Sequence, residues 1–113
     1  MNLGDICWLV PPMTGGHVQQ GRRPGIIWQN HTRFPSLPTS LAIPLTSQQR
    51  ALRFGGTHLI QPSARNGLAV PSVALVFQLA AVDRQDIGAK IGEIDDPDRL
   101  ILQELTRQLM GLP

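Results

Sequence analysis

The sequence predicts a mainly β fold, a small barrel followed by a C-terminal α-helix, and three observations lead there. β-Branched and aliphatic residues come in short runs closed off by turn-formers, as Ile6-Cys7-Trp8-Leu9-Val10 is by Pro11-Pro12. The 113 residues include 10 prolines and 11 glycines, enough to turn the corners between such runs. Helix signals gather only at the end. Strands this short and this numerous are best stabilised by closing on one another, because closure removes exposed edges.

Taken in order, the strands are expected at residues 6–10, 25–29, 40–45, 57–60, 72–79 and 89–94. The helix is expected at residues 97–110. Asp96 can cap it, Pro97 suits the first helical position, and Asp98 favours the positive end of the helix dipole. Leu102, Leu105 and Leu109 recur at helical spacing, and Gly111 provides the stop. That apolar stripe is expected to pack on the barrel or on a second copy of the chain. No internal repeat or long linker divides the sequence, so one domain is expected, with residues 1–94 as barrel and 95–113 as the helical segment.

Composition narrows the function. With 42% apolar and 16% charged residues the chain is globular rather than disordered. Its core must be aliphatic, since there are three Phe, two Trp and no Tyr, and this scarcity of aromatics disfavours both a general single-strand binder and a Pro-binding groove. Cys7 is the only cysteine, which excludes an internal disulfide and a cysteine-rich zinc site and suits a reducing cytoplasm. The N-terminus lacks a basic stretch ahead of an apolar core, and no run of about 18 apolar residues occurs, so neither a signal peptide nor a membrane span is expected.

Charge is split along the chain. Residues 1–80 hold six Arg against the single acid Asp5, whereas residues 81–113 hold four basic and seven acidic groups. An Arg-only basic half suits a phosphate-bearing partner, because a guanidinium can fork onto two phosphate oxygens. Three polar loops, at residues 11–24, 30–38 and 47–56, carry five of those six arginines. Loops on a rigid scaffold are where binding groups are usually displayed.

Two of these segments have the chemistry of a site. Thr14 to Pro24 joins a Gly-rich approach to His17, the amides Gln19 and Gln20, and the guanidinium groups of Arg22 and Arg23. Pro24 biases Arg23 toward an extended backbone, at the mouth of a strand. The alternative is a long solvated hairpin loop. Further on, Ile43-Pro44-Leu45-Thr46-Ser47-Gln48 switches abruptly from apolar to hydroxyl and amide groups. Such a strand end can set a donor against a phosphoryl oxygen, although Thr and Ser there more often bond to their own turn. His31 and His58 have no partner at ligand spacing and are expected to face solvent or bond within loops.

Taken together, Gly4-Asp5-Ile6-Cys7-Trp8, the loop from Gly16 to Pro24, Trp28-Gln29-Asn30, Pro44-Leu45-Thr46-Ser47, Pro71 to Gln78, and Val82-Asp83 ahead of a terminal helix resemble the MazF/PemK family of toxin endoribonucleases. The resemblance implies an SH3-like β-barrel, of the kind shared with CcdB-type gyrase poisons, with a C-terminal helix. It further implies a homodimer that cleaves single-stranded mRNA at short motifs, without metal or other cofactor, and is silenced by a MazE-like antitoxin. The family's Gly-x-Arg-Pro arginine falls on Arg23 and its strand-end threonine on Thr46, with His17 as acid or base. RNA contacts are expected from Gln19, Gln20, Arg22, Asn30, Ser47, Arg50, Arg53 and Gln78. Val18 replaces a common Glu, and Leu75 and Phe77 stand where some members carry Arg and Asp. These departures support a rival reading, a catalytically weak member that still binds RNA or antitoxin. The Arg23–Thr46 pairing argues against a gyrase poison.

Overall fold

The structure is a computed structural model, and it describes residues 1–10 and 22–113. Seven strands follow one another in the chain: β1 (Asp5–Leu9), β2 (Arg23–Ile27), β3 (Thr39–Thr46), β4 (Thr57–Ile60), β5 (Ser72–Leu75), β6 (Ala80–Asp83) and β7 (Ile87–Glu93). The helix α1 (Asp96–Met110) completes the fold. Hydrogen bonding runs along one antiparallel path, β4-β5-β3-β2-β1-β7, with β6 added to β3. The fold is therefore mainly β and barrel-like, with a terminal helix, but β4 and β7 are not paired to each other.

Both path ends are covered by other means, as exposed edges require. The backbone N–H of Glu93, in β7, donates to Arg65 O at 2.9 Å, so the loop of residues 61–70 takes the place of a neighbour strand. Along β4, His58 Nε2 and Asp98 Oδ1 lie 2.7 Å apart and tie α1 to the sheet.

Two strand assignments are revised. The run at residues 72–79 is not one strand: β5 stops at Leu75 and Val76–Gln78 form a 3-10 turn. The reason is the shared neighbour β3. β5 pairs with its end, Leu45 opposite Ala74, and β6 with its beginning, Leu41 opposite Ala81, so the chain must step along that edge between the two. Buried Val76 anchors the step. β6 itself was not expected, since Ala80 and Ala81 carry little strand propensity and are held by pairing alone.

The core is aliphatic, as the composition requires. Ile6, Ile26, Ile43, Leu45, Ile60, Val76, Ile94 and Leu102 are buried together with Trp28. Of the helix stripe, Leu102 is buried and Leu105 packs against the core, whereas Leu109 stays exposed. Trp28 Nε1 donates to Thr106 Oγ1 at 2.9 Å, satisfying the indole in the apolar seam. Helix α1 starts one residue earlier than expected, with Asp95 in the cap position. Gly111 ends it in the left-handed conformation, with φ 66°, while Leu112 N donates back to Arg107 O. Among the described residues no helix is long and apolar enough to cross a membrane.

Candidate functional site

Where β2 begins and β3 ends, the sheet leaves a cavity of about 380 Å³. Arg23 is the first residue of β2, extended as Pro24 dictates, and it pairs across from Leu9. Thr46 is the last residue of β3, and Gly25 opposite Pro44 fixes how far the two strand ends lie apart. Arg23, Pro24, Thr46, Ser47 and Gln48 line one side of the cavity, and Trp8, Leu68, Ala69, Val70 and Ile91 line much of the rest.

The electrostatics of this cavity are simple. Arg23 is exposed and is the only charged side chain among the described residues lining it, and it makes no ion pair with any described residue. No acid lies between Asp5 and Asp83 in the sequence, so β2 and β3, which carry Arg23 and Thr46, supply no counter-charge. Arg22 adds a second guanidinium, stacked 4.4 Å from the centroid of the Trp8 ring, where the aromatic face attracts a cation. The half-buried Thr46 hydroxyl accepts from the Gln48 backbone N–H at 3.2 Å, the turn bond expected of a strand-end threonine. That bond occupies a lone pair and leaves the Thr46 O–H able to donate.

A cationic guanidinium and a hydroxyl lining one cavity, with apolar side chains lining the rest, can hold a phosphodiester against charge-stabilising donors while a flat apolar group rests on Trp8, Leu68 or Val70. The structure thus brings Arg23, Thr46 and Ser47 together, with Arg22 close by. His17, Gln19 and Gln20 lie outside the described residues, as does Val18. Asn30, Arg50, Arg53 and Gln78 are not among the residues lining the cavity. Asn30 Oδ1 accepts from Arg33 N at 3.0 Å and caps a turn. Arg53 lies over the Phe54 ring at 4.7 Å, and Phe54 in turn packs against Phe77 at 5.5 Å.

Sequence reasoning missed the opposite wall. Trp8 was visible only as one member of an alternating strand. Leu68, Ala69, Val70 and Ile91 carry no chemical signature and join the site through folding alone.

The histidines also depart from expectation. His31 is buried, not solvent-facing, and Arg84 Nη2 donates to its Nδ1 at 3.2 Å. The proton therefore sits on Nε2, which donates to Ser40 Oγ at 2.8 Å, and the Ser40 hydroxyl in turn donates a hydrogen bond to Leu41 O. Burial, then the neighbouring Arg84 charge, holds the His31 pKa below its ordinary value. His58 bonds Asp98 and serves the helix rather than the cavity. Burial, and after it Asp5, pushes the Cys7 thiol pKa up, which makes it a packing residue rather than a nucleophile.

A family model described as PemK-like, MazF-like toxin of type II toxin-antitoxin system matches residues 2–110. Endoribonuclease EndoA of Bacillus subtilis (strain 168) is 29% identical over 93 residues, spanning 82% of this chain and 79% of that protein. The Mycobacterium tuberculosis toxin MazF-mt6 superposes with a TM-score of 0.76 at 21% identity, covering 96% of this chain and 98% of that one. A MazE-MazF crystal structure from Deinococcus radiodurans gives a TM-score of 0.79 at 21% identity, covering 100% and 97%.

Proposed function

This chain belongs to the PemK-like, MazF-like toxins of type II toxin–antitoxin systems, and on that premise we propose that it is an endoribonuclease that cuts single-stranded mRNA at short sequence motifs without a metal ion. One observation carries the reading: Arg23, with no ion-pair partner among the described residues, lines the same cavity as the Thr46 hydroxyl. The endoribonuclease EndoA relative supports it.

The chemistry follows from those two groups. The ribose 2′-oxygen attacks the adjacent phosphorus, a new P–O bond forms, and the bond to the 5′-oxygen of the next nucleotide breaks. Negative charge grows on the non-bridging oxygens during this step. The Arg23 guanidinium forks onto them and the Thr46 O–H donates a further bond, both strengthening as charge develops. Ser47 and Arg22 hold neighbouring phosphates, and Gln19, Gln20, Asn30, Arg50, Arg53 and Gln78 contact the strand beyond. His17, whose imidazole can both take up and release a proton, moves the protons. The active form is a homodimer, supported by the exposed apolar side chains of Ile101, Leu109 and Met110 on α1. A MazE-like antitoxin silences it, and the cytoplasm is its place of action.

A catalytically weak member that still binds RNA or antitoxin is the second reading, favoured by Val18, Leu75 and Phe77, which stand where members of the family carry Glu, Arg and Asp. Incubating the purified chain with mixed RNA in chelator separates them. Discrete cuts at a recurring motif are expected; intact RNA at high protein concentration would reject the nuclease and leave the binder.

A further inference from the structure

The apolar wall of the cavity comes from a loop, residues 61–70, that has few apolar anchors of its own beyond Leu68. What holds it is Asn66, which is completely buried. Its Oδ1 accepts from Ser63 N at 2.9 Å and Leu68 N at 3.0 Å, and its Nδ2 donates to Gln61 O at 2.9 Å and Asp95 Oδ2 at 3.4 Å. A side-chain amide has two donor hydrogens and two acceptor lone pairs, so its capacity is used in full. Ser63 Oγ donates to the same Asp95 oxygen at 2.6 Å and accepts from Asn66 N. Asp95 stands directly before α1 and makes no cap bond to its own helix, its carboxylate being turned toward the loop instead.

The loop is also pressed against β7. A Cβ on Gly92 would lie 2.4 Å from Asn66 O, and one on Gly67, whose φ is 66°, would lie 2.5 Å from Ile91 O. Leu68, Ala69, Val70 and Ile91 all line the cavity. The wall is therefore fixed from two sides, by the close approach to β7 and by the bonds running through Asn66 and Ser63 to the start of α1.

We propose that Asn66, Ser63 and Asp95 form a positioning unit for the nuclease cavity: they hold the Leu68–Val70 wall at the distance from Arg23 and Thr46 that accepts the nucleobase beside the scissile phosphate, and they tie that distance to the seating of α1. The inference rests on the nuclease reading of the cavity. None of the three touches the reacting atoms, so their loss weakens substrate binding rather than the chemical step, and KM should move while kcat holds.

The test pairs two variants at the same helix end. Asp95→Ala cuts the tie to the loop, whereas Asp98→Ala cuts the other tie of α1, to His58 on β4, and removes an equal charge from the first helical turn. Ser63→Ala breaks the loop tie without touching the helix. Hydrogen exchange at the Asn66 and Leu68 amides and steady-state cleavage of a short oligoribonucleotide are measured for each. Asp95→Ala and Ser63→Ala should speed exchange at these amides by about tenfold or more and raise KM about threefold or more at unchanged kcat. Asp98→Ala should do neither. Wild-type exchange at Leu68 in Asp95→Ala, or the same response in Asp98→Ala, would overturn the proposal. A wild-type chain that cuts no RNA would instead reject the nuclease reading, and the exchange data would still decide whether the loop hangs on α1.

Discussion

The two walls of the cavity are built on opposite terms. On the wall hung from Asn66, every side-chain donor and acceptor of a buried amide is matched, and Asp95 and Ser63 are matched with it. On the wall formed by β2 and β3, a guanidinium stands without a counter-charge among the described residues and a hydroxyl keeps its proton to give. Saturated polar groups cannot take a ligand without losing a bond, so they serve as scaffold. Unmatched ones gain from any anion that arrives, and a site built from them waits for its substrate. The His31–Arg84–Ser40 cluster belongs with the first kind.

The largest effect should come from Arg23→Ala, which is expected to slow cleavage at least ~10²-fold, as loss of one charge-stabilising donor does elsewhere, with no loss of melting temperature. Cleavage and thermal unfolding measured on one preparation check both halves. A parallel fall in stability would move Arg23 to the scaffold side.

Asn66→Ala should act on the scaffold instead, lowering stability by about 2–3 kcal/mol because the backbone groups of Ser63, Leu68 and Gln61 lose their buried partner. Urea unfolding measures it, and a cost under about 0.5 kcal/mol, the range of ordinary surface changes, would remove Asn66 from the scaffold. Thr46→Val comes next. It should slow cleavage by about tenfold, in line with one bond to a charged group, while stability holds, since water can replace the exposed bond to Gln48 N. Unchanged cleavage would leave Thr46 as a turn-former only.

The smallest effect concerns pH. Burial and Arg84 lower the His31 pKa below its ordinary 6.5, so the unfolded chain takes up a proton at a higher pH than the native one. The stability His31 contributes is complete above pH 6.5 and is lost as pH falls from there through its native pKa. Unfolding midpoints should therefore drop between pH 7.5 and lower pH, and His31→Gln should flatten that drop. An identical pH profile in the variant would show that other groups set it.

Much of this was legible in the sequence, and the reasons are local. Pro24 made Arg23 extended, the switch after Leu45 marked the strand end at Thr46, and the caps and leucine spacing marked α1. What was not legible depends on partners distant in the chain. Ala80 and Ala81 form a strand because β3 offers them an edge. Asn66-Gly67 reads as a turn, and nothing nearby announces that Asp95, 29 positions on, completes its hydrogen bonding. The helix boundary was misplaced by one residue for the same reason, because Asp95 spends its carboxylate on the loop. His31 looked like a surface histidine since Arg84, its hydrogen-bond donor, is 53 positions away.

In the reaction we propose, the RNA cuts itself through its own 2′-oxygen while Arg23 and Thr46 stabilise the phosphorus centre. Once the cut position is mapped, it is tested by comparing, in chelator, an oligoribonucleotide carrying that site with the same strand made 2′-deoxy at the single ribose before the scissile phosphate. The first strand should be cut, leaving a 2′,3′-cyclic phosphate or 3′-phosphate end, and the second should stay whole. Cleavage of both strands at the same position would contradict it.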